Sequence, residues 1–168
     1  VHGIDGVLNN GDPADTQGHG TAVASIAGAV GNNCVGMSGV AWGVKIMALK
    51  ANSGSAAGLE ASGIVKAFDY AIANGAHVIN ASYGSFGETL TGNTIYRVAA
   101  NAGIPVVCAA GNDNQPGAIF PASSQLENIV SVIATRRDDT RASYSNYELG
   151  DTDLAAPGGD SNGGGFIR

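Results

Sequence analysis

A histidine flanked by two glycines opens the stretch Gly18-His19-Gly20-Thr21-Ala22-Val23-Ala24-Ser25-Ile26-Ala27-Gly28. A general base needs a titration point near neutral pH, and histidine is the side chain that has one by default. With no bulky side chain on either neighbour, the imidazole of His19 is free to approach a substrate. Val23, Ile26, Ala27 and Val30 follow at helical spacing, so His19 stands at a helix start, where the Thr21 hydroxyl can close the first turn. Asp12 and Asp15 lie just upstream. The competing reading is a histidine caught in a Gly-rich turn, and the spacing of this stretch alone does not separate the two.

The elements that must position such a group follow in order. Val1 to Thr16 is turn-rich and reads as a surface loop. Val44 to Leu49 is an apolar run of strand length. Leu59 to Asn74 reads as a helix with Ile64, Val65, Phe68, Ala71 and Ile72 on one face, stopped by Gly75. His77 to Ala81 is a short buried strand. A second helix spans Leu90 to Ala102, with Ile95, Val98, Ala99 and Ala102 inward and Gly103 closing it. Ile104 to Ala110 and Ile129 to Ala134 are further strands. The alternation β-α-β-α-β predicts an α/β fold, a parallel sheet covered by helices.

In such a sheet, ligands bind beyond the carboxyl ends of the strands. Right-handed crossovers make Ser82-Tyr83-Gly84 and Gly111-Asn112-Asp113 open on one edge. An Asn112 amide there could stabilise an oxyanion. Taken singly, Asn112 reads as a turn residue and Ser82-Tyr83-Gly84 as a strand exit. His19 and Asn112 together favour the catalytic reading.

Composition narrows the classes. The 168 residues are one domain or a large part of one, and 44% hydrophobic residues suffice for a core. The net charge of −6 argues against a nucleic-acid surface. No apolar run approaches the ~20 residues of a membrane span. The chain opens on Val1 without a signal peptide, which is the expectation for a sequence missing an upstream part. Cys34 and Cys108 are free to pair or not, and Cys108 reads as a buried thiol. Three patterns are set aside. Gly159-Asp160-Ser161-Asn162-Gly163 fits G-x-S-x-G but has no flanking strand or helix. His2, His19, His77 and the cysteines show no zinc spacing. The sequon at Asn80 falls in a core strand.

Gly18-His19-Gly20-Thr21, Val78-Ile79-Asn80-Ala81-Ser82-Tyr83-Gly84, Ala109-Ala110-Gly111-Asn112, Ala142-Ser143-Tyr144-Ser145-Asn146-Tyr147 and Asp153-Leu154-Ala155-Ala156-Pro157-Gly158 occur in the order of the subtilases. Over nearly its whole length the chain resembles a subtilisin-like serine protease. The resemblance implies a three-layer α/β fold, with residues 1–168 as part of one catalytic domain. It implies an endopeptidase using an Asp-His-Ser triad in that order. His19 matches the triad histidine and Asn112 the oxyanion-hole asparagine. Ser82, Tyr83 and Gly84 resemble the segment that pairs with the substrate backbone and walls its primary pocket. Ala109, Ala110 and Gly111 resemble the opposite wall. Ile119 falls near a position where some relatives carry glycine at the pocket floor, which implies a shallower pocket. Phe120-Pro121 resembles the family's aromatic-proline step, which can be cis.

The chain also departs from that pattern. Asp5, Asp12 and Asp15 match the loop before the family's histidine, not its aspartate, and no Gly-Thr-Ser-Met-Ala-like segment occurs. Ser143 and Ser145 belong to a different motif. The expectation is an internal fragment, inactive alone, whose triad aspartate and serine lie outside it. No cofactor is required for the chemistry. Val30 to Met37 resembles a calcium-wrapping loop, one residue longer than in the best-known relatives, with Val30, Asn33, Val35 and Met37 as candidate ligands. Partners under this reading are polypeptide substrates and a propeptide, with no nucleic acid and no membrane-spanning segment. Family habit implies secretion. The alternative function is a non-catalytic subtilase-like domain that binds peptides or scaffolds a partner.

Overall fold

The structure, a computed structural model, describes residues 2–53, 58–88, 90–148, 150, 152–160 and 165–166. The chain divides into two compact units, Val1–Gly75 and Ala76–Arg168.

The first unit contains β1 (His2–Asp5), α1 (His19–Gly28), β2 (Met47–Lys50) and α2 (Ala61–Ala73). β1 and β2 run parallel, with His2 opposite Met47 and Asp5 opposite Lys50. β1 corrects the expectation of a loop through Thr16. Four residues are too few to show a period, and their strand character comes from pairing with β2. β2 starts at Met47 rather than Val44, and Val44 and Ile46 are exposed. Asp5, which ends β1, is buried beside Lys50 Nζ at 3.2 Å. It accepts the Val7 and Leu8 N–H groups at 2.9 Å each. Burial opposes its ionisation, but the Leu8 amide, the Lys50 ammonium and the Val7 amide outweigh that and hold the carboxyl below its ordinary value. Asp5 is therefore a turn-forming structural residue.

α2 buries Gly63, Ala67, Phe68 and Ala71. Ile64, Val65 and Ile72 are only half-buried, so the inward stripe is rotated from the expected one. The cause is a close approach: a Cβ on Gly6 would lie 2.5 Å from Gly63 O. α1 corrects its expectation further, since none of its residues is buried. The returning chain instead holds it by backbone bonds from Gly39, Val40 and Ala41 to Ala29, Ile26 and Ala27. The Asn52–Gly58 loop lies partly outside the described residues.

The second unit contains β3 (Ile79–Ala81), α3 (Leu90–Asn101), β4 (Val106–Ala109), β5 (Ile129–Thr135), β6 (Leu154–Pro157) and the antiparallel pair β7 (Gly159–Asp160) and β8 (Gly165–Phe166). The order β3-β4-β5-β6 is parallel throughout. Register places Ile79, Val106 and Ile129 in one row and Ala81, Cys108 and Ser131 in the next, all buried on one face. α3 belongs to that side. Its Tyr96 shares a 3.1 Å hydrogen bond with the Tyr83 hydroxyl, and its ring meets Phe120 edge-on at 5.5 Å. Tyr96 lies outside the inward face expected from sequence, and Val98, expected inside it, is exposed. Burial raises Tyr83 and the Cys108 thiol to about 12 each, so both stay protonated and Cys108 is the inert buried thiol expected. On the other face Asn80 is exposed, not in the core as expected, while Val107, Ala109, Val130 and Val132 are half-buried. β6 is exposed along its length. The set-aside G-x-S-x-G match does have strand beside it, since β6 precedes it and Gly159 and Asp160 form β7, which corrects the expectation of no flanking strand; residues 161–163 lie outside the described residues.

Candidate active site

In the first unit, His19 is the first residue of α1. The residue before it, Gly18, has φ +86, a left-handed backbone that favours glycine. The side chain closing this helix start is Asp15, not Thr21 as expected. Asp15 Oδ1 accepts the Gln17 and Gly18 N–H groups at 2.8 and 2.9 Å. Its Oδ2 accepts the Thr21 N–H at 2.8 Å and the Thr21 hydroxyl at 2.7 Å. The Thr21 hydroxyl, followed by the Gln17, Thr21 and Gly18 amides, holds the Asp15 carboxyl far below the usual carboxylate range. The carboxylate also complements the positive helix terminus. His19 itself is exposed.

The loop after α1 carries the candidate metal ligands. Asn32, Cys34 and Gly36 alternate along it in left-handed conformation, with φ of 56, 59 and 61°. Asn33 Oδ1 accepts the Val35 N–H at 3.1 Å, keeping a second lone pair. Val30, Asn33 and Val35 are exposed and Met37 is half-buried. Three backbone carbonyls and one amide oxygen are hard donors of the right kind for calcium, but they cover only part of the six to eight oxygens it takes.

In the second unit, three segments are laced together at the carboxyl edge of β3 and β4. Ser85 and Phe120 exchange backbone bonds at 2.9 and 3.1 Å, and the Ile119 N–H donates to Ala110 O at 2.9 Å. The Phe120-Pro121 peptide is cis. Ser82, Ala109, Ala110, Gly111 and Asn112 line one depression of about 240 Å³ with Asn80, Val132, Ala134 and Tyr144. Ser82 Oγ accepts from Asn80 Nδ2 at 2.8 Å. Tyr83 and Gly84 are not among those lining residues: Tyr83 reaches Tyr96, and Gly84 abuts Ile119. Asn112 is exposed at the turn leaving β4.

Sequence reasoning assigns no role to Asn146. It is fully buried, and its Oδ1 accepts the Asp113 and Gln115 N–H groups at 2.8 and 3.3 Å. Its own N–H donates to Gly111 O at 2.9 Å. It therefore fixes the turn that carries Asn112. Gly111 admits no side chain against it: the φ there is +118, and a Cβ would lie 2.5 Å from Asn146 Nδ2. Ser145 next to it accepts the Ala134 N–H at 2.9 Å, a structural duty consistent with its exclusion as a nucleophile.

As a class, this is an α/β protein with an exposed imidazole at a helix start and an exposed amide at the carboxyl edge of a parallel sheet. The chain belongs to the subtilase family, whose sequence profile matches residues 3–167. It is 41% identical over 160 residues to the thermophilic serine proteinase of Bacillus sp. strain AK1, covering 95% of this chain and 39% of that protein. It is 37% identical over 150 residues to Subtilisin Savinase of Lederbergia lenta, covering 88% and 54%. The crystal structure of a cold adapted subtilisin-like serine proteinase matches with a TM-score of 0.80 at 33% identity, covering 94% of this chain and 55% of that one. The subtilisin-like α/β fold class expected from sequence is thus the fold found. Among the described residues no helix is long and apolar enough to cross a membrane.

Proposed function

We propose that this chain is the portion of a serine endopeptidase that carries the histidine and the oxyanion-hole asparagine, with the triad aspartate and serine contributed by polypeptide outside residues 1–168. The observation that carries this reading is the Gly-His-Gly start of α1, held by Asp15, within a chain matching the Subtilase family over residues 3–167. In this reading the serine hydroxyl attacks the scissile carbonyl carbon and passes its proton to His19. The carbonyl π electrons move onto oxygen, and Asn112 donates a hydrogen bond to the resulting oxyanion. His19 returns the proton to the departing amine as the C–N bond breaks. Water then repeats the sequence on the acyl-enzyme. Residues 1–168 alone do not hydrolyse peptides, because His19 then has neither a hydroxyl to activate nor a carboxylate to orient it. The same reading includes secretion, a propeptide partner and a calcium ion at the Val30–Met37 loop, where it would be structural and outside the chemistry.

The test is to read the gene outward from both ends, express the whole protein and measure peptide hydrolysis with and without Asn112→Ala. An upstream aspartate, a downstream Gly-Thr-Ser segment and a fall in turnover of about 10²–10³ are expected, a magnitude taken over from subtilisin, where the loss of this donor sets the scale. Binding of peptides without cleavage, with the serine replaced, would favour the non-catalytic alternative.

A further inference from the structure

Asn112 is exposed, and among the described residues its side chain makes no hydrogen bond. The main chain alone therefore sets where its amide points, and a donor that acts on a transition state must be held to within about 0.5 Å. Two peptide planes meet at the Asn112 Cα. The one before it carries the Gly111 carbonyl, and the one after it carries the Asp113 N–H. Asn146 grips both: its own N–H donates to Gly111 O at 2.9 Å, and its Oδ1 accepts the Asp113 N–H at 2.8 Å. Together the two bonds restrict φ and ψ of Asn112, and with them the direction of its Cα–Cβ bond. The same Oδ1 accepts the Gln115 N–H at 3.3 Å and closes the turn.

The grip is itself anchored. Ser145 Oγ donates to Asn146 O at 3.0 Å and accepts the Ala134 N–H of β5 at 2.9 Å. Arg141 Nη1 donates to Ser145 O and, at 3.0 Å, to Asn114 Oδ1, while its guanidinium lies 4.3 Å over the Tyr147 ring. The Asn114 and Gly117 N–H groups donate to Tyr144 O and Tyr147 O at 2.8 and 3.0 Å. The turn carrying Asn112 is thus fastened to the sheet through residues 144–147. Asn146 is fully buried, so its amide oxygen cannot be removed without leaving polar groups unsatisfied or letting the turn move.

We propose that Asn146 is a positioning residue for the oxyanion step: by holding the peptides on both sides of Asn112 it aims that amide at the developing charge. This rests on the reading above, in which Asn112 donates to the oxyanion. An interaction realised only in the transition state governs kcat and leaves KM nearly unchanged.

The whole protein decides this in a double-mutant cycle on a peptide anilide. Asn146→Ala is expected to lower kcat about 10- to 100-fold, the scale of a displaced catalytic group, with KM changed less than about threefold. Asn146→Asp, which keeps the accepting oxygen, is expected to restore most of the loss. In an Asn112→Ala background the Asn146→Ala change is expected to cost less than about threefold in kcat, because the donor it aims is gone. A loss equal in both backgrounds is what a merely structural residue gives, and it overturns the proposal, as does a loss carried by KM or no loss at all. Should circular dichroism show Asn146→Ala unfolded, Asn146→Ser is read in the same cycle: its hydroxyl is too short to reach both amides, and the same disappearance of the effect in the Asn112→Ala background is required. Turnover by Asn112→Ala within about threefold of wild type overturns the oxyanion reading and the proposal with it. No cleavage of any peptide, with no serine labelled by a fluorophosphonate, overturns the protease reading itself.

Discussion

Asp15 and Asn146 each use one short side chain to gather several backbone amides, and each stands behind a residue proposed to do chemistry: Asp15 behind His19, Asn146 behind Asn112. Because hydrogen bonds depress the folded-state pKa of Asp15, its contribution to stability is present above the unfolded value of about 4 and is lost as pH falls below it toward the folded value. Asp15→Ala is expected to lower stability by about 0.5–2 kcal/mol at pH 6, in the range for a lost helix cap. In urea titrations the gap between wild type and variant should narrow from pH 4 to pH 2. A constant gap would show that the carboxylate charge contributes nothing. His19 and Asn112 stand out in the sequence because each lies in a short local motif, and the roles proposed for them rest on those motifs. The clamps are less so. In sequence Asp15 is only a carboxylate near His19, and Thr21 is the more obvious cap. Asn146 reaches amides about thirty residues away, so no local pattern can announce it.

The elements follow the same rule. α2, α3, β4 and β5 are legible because each is long or apolar enough to show its own period. β1 and β6, at four residues each, take their strand character from partners far along the chain. Helix faces depart from the expected ones where a close backbone approach, as at Gly6 and Gly63, or an aromatic with a polar tip, as at Tyr96, displaces larger aliphatics from the interior. α1 is the extreme case, a helix held by backbone bonds from 39–41 instead of by buried side chains. The loop joining α1 to that return is the segment proposed to hold calcium. A ligand that binds the folded form alone adds RT ln(1 + [L]/Kd), about 2.7 kcal/mol at a hundredfold excess over Kd. Millimolar calcium should therefore raise the melting temperature of the whole protein, EDTA should reverse it, and Asn33→Ala should diminish it. Identical melting in calcium and EDTA would remove the ion from the picture.

For the molecule as a whole, the chain spans 39% and 54% of the two curated relatives named above, so activity is a property proposed for the whole protein. Sequence alone conveys the fold class, because alternating apolar strands and helices leave few other solutions. The central claim is that His19 is the general base of a serine endopeptidase. The most direct measurement is kcat of the whole protein on a peptide anilide, wild type against His19→Ala, with folding verified by circular dichroism. The predicted result is a fall of about 10⁶, the scale known for the equivalent loss in subtilisin itself. Turnover by the folded variant within tenfold of wild type would contradict it.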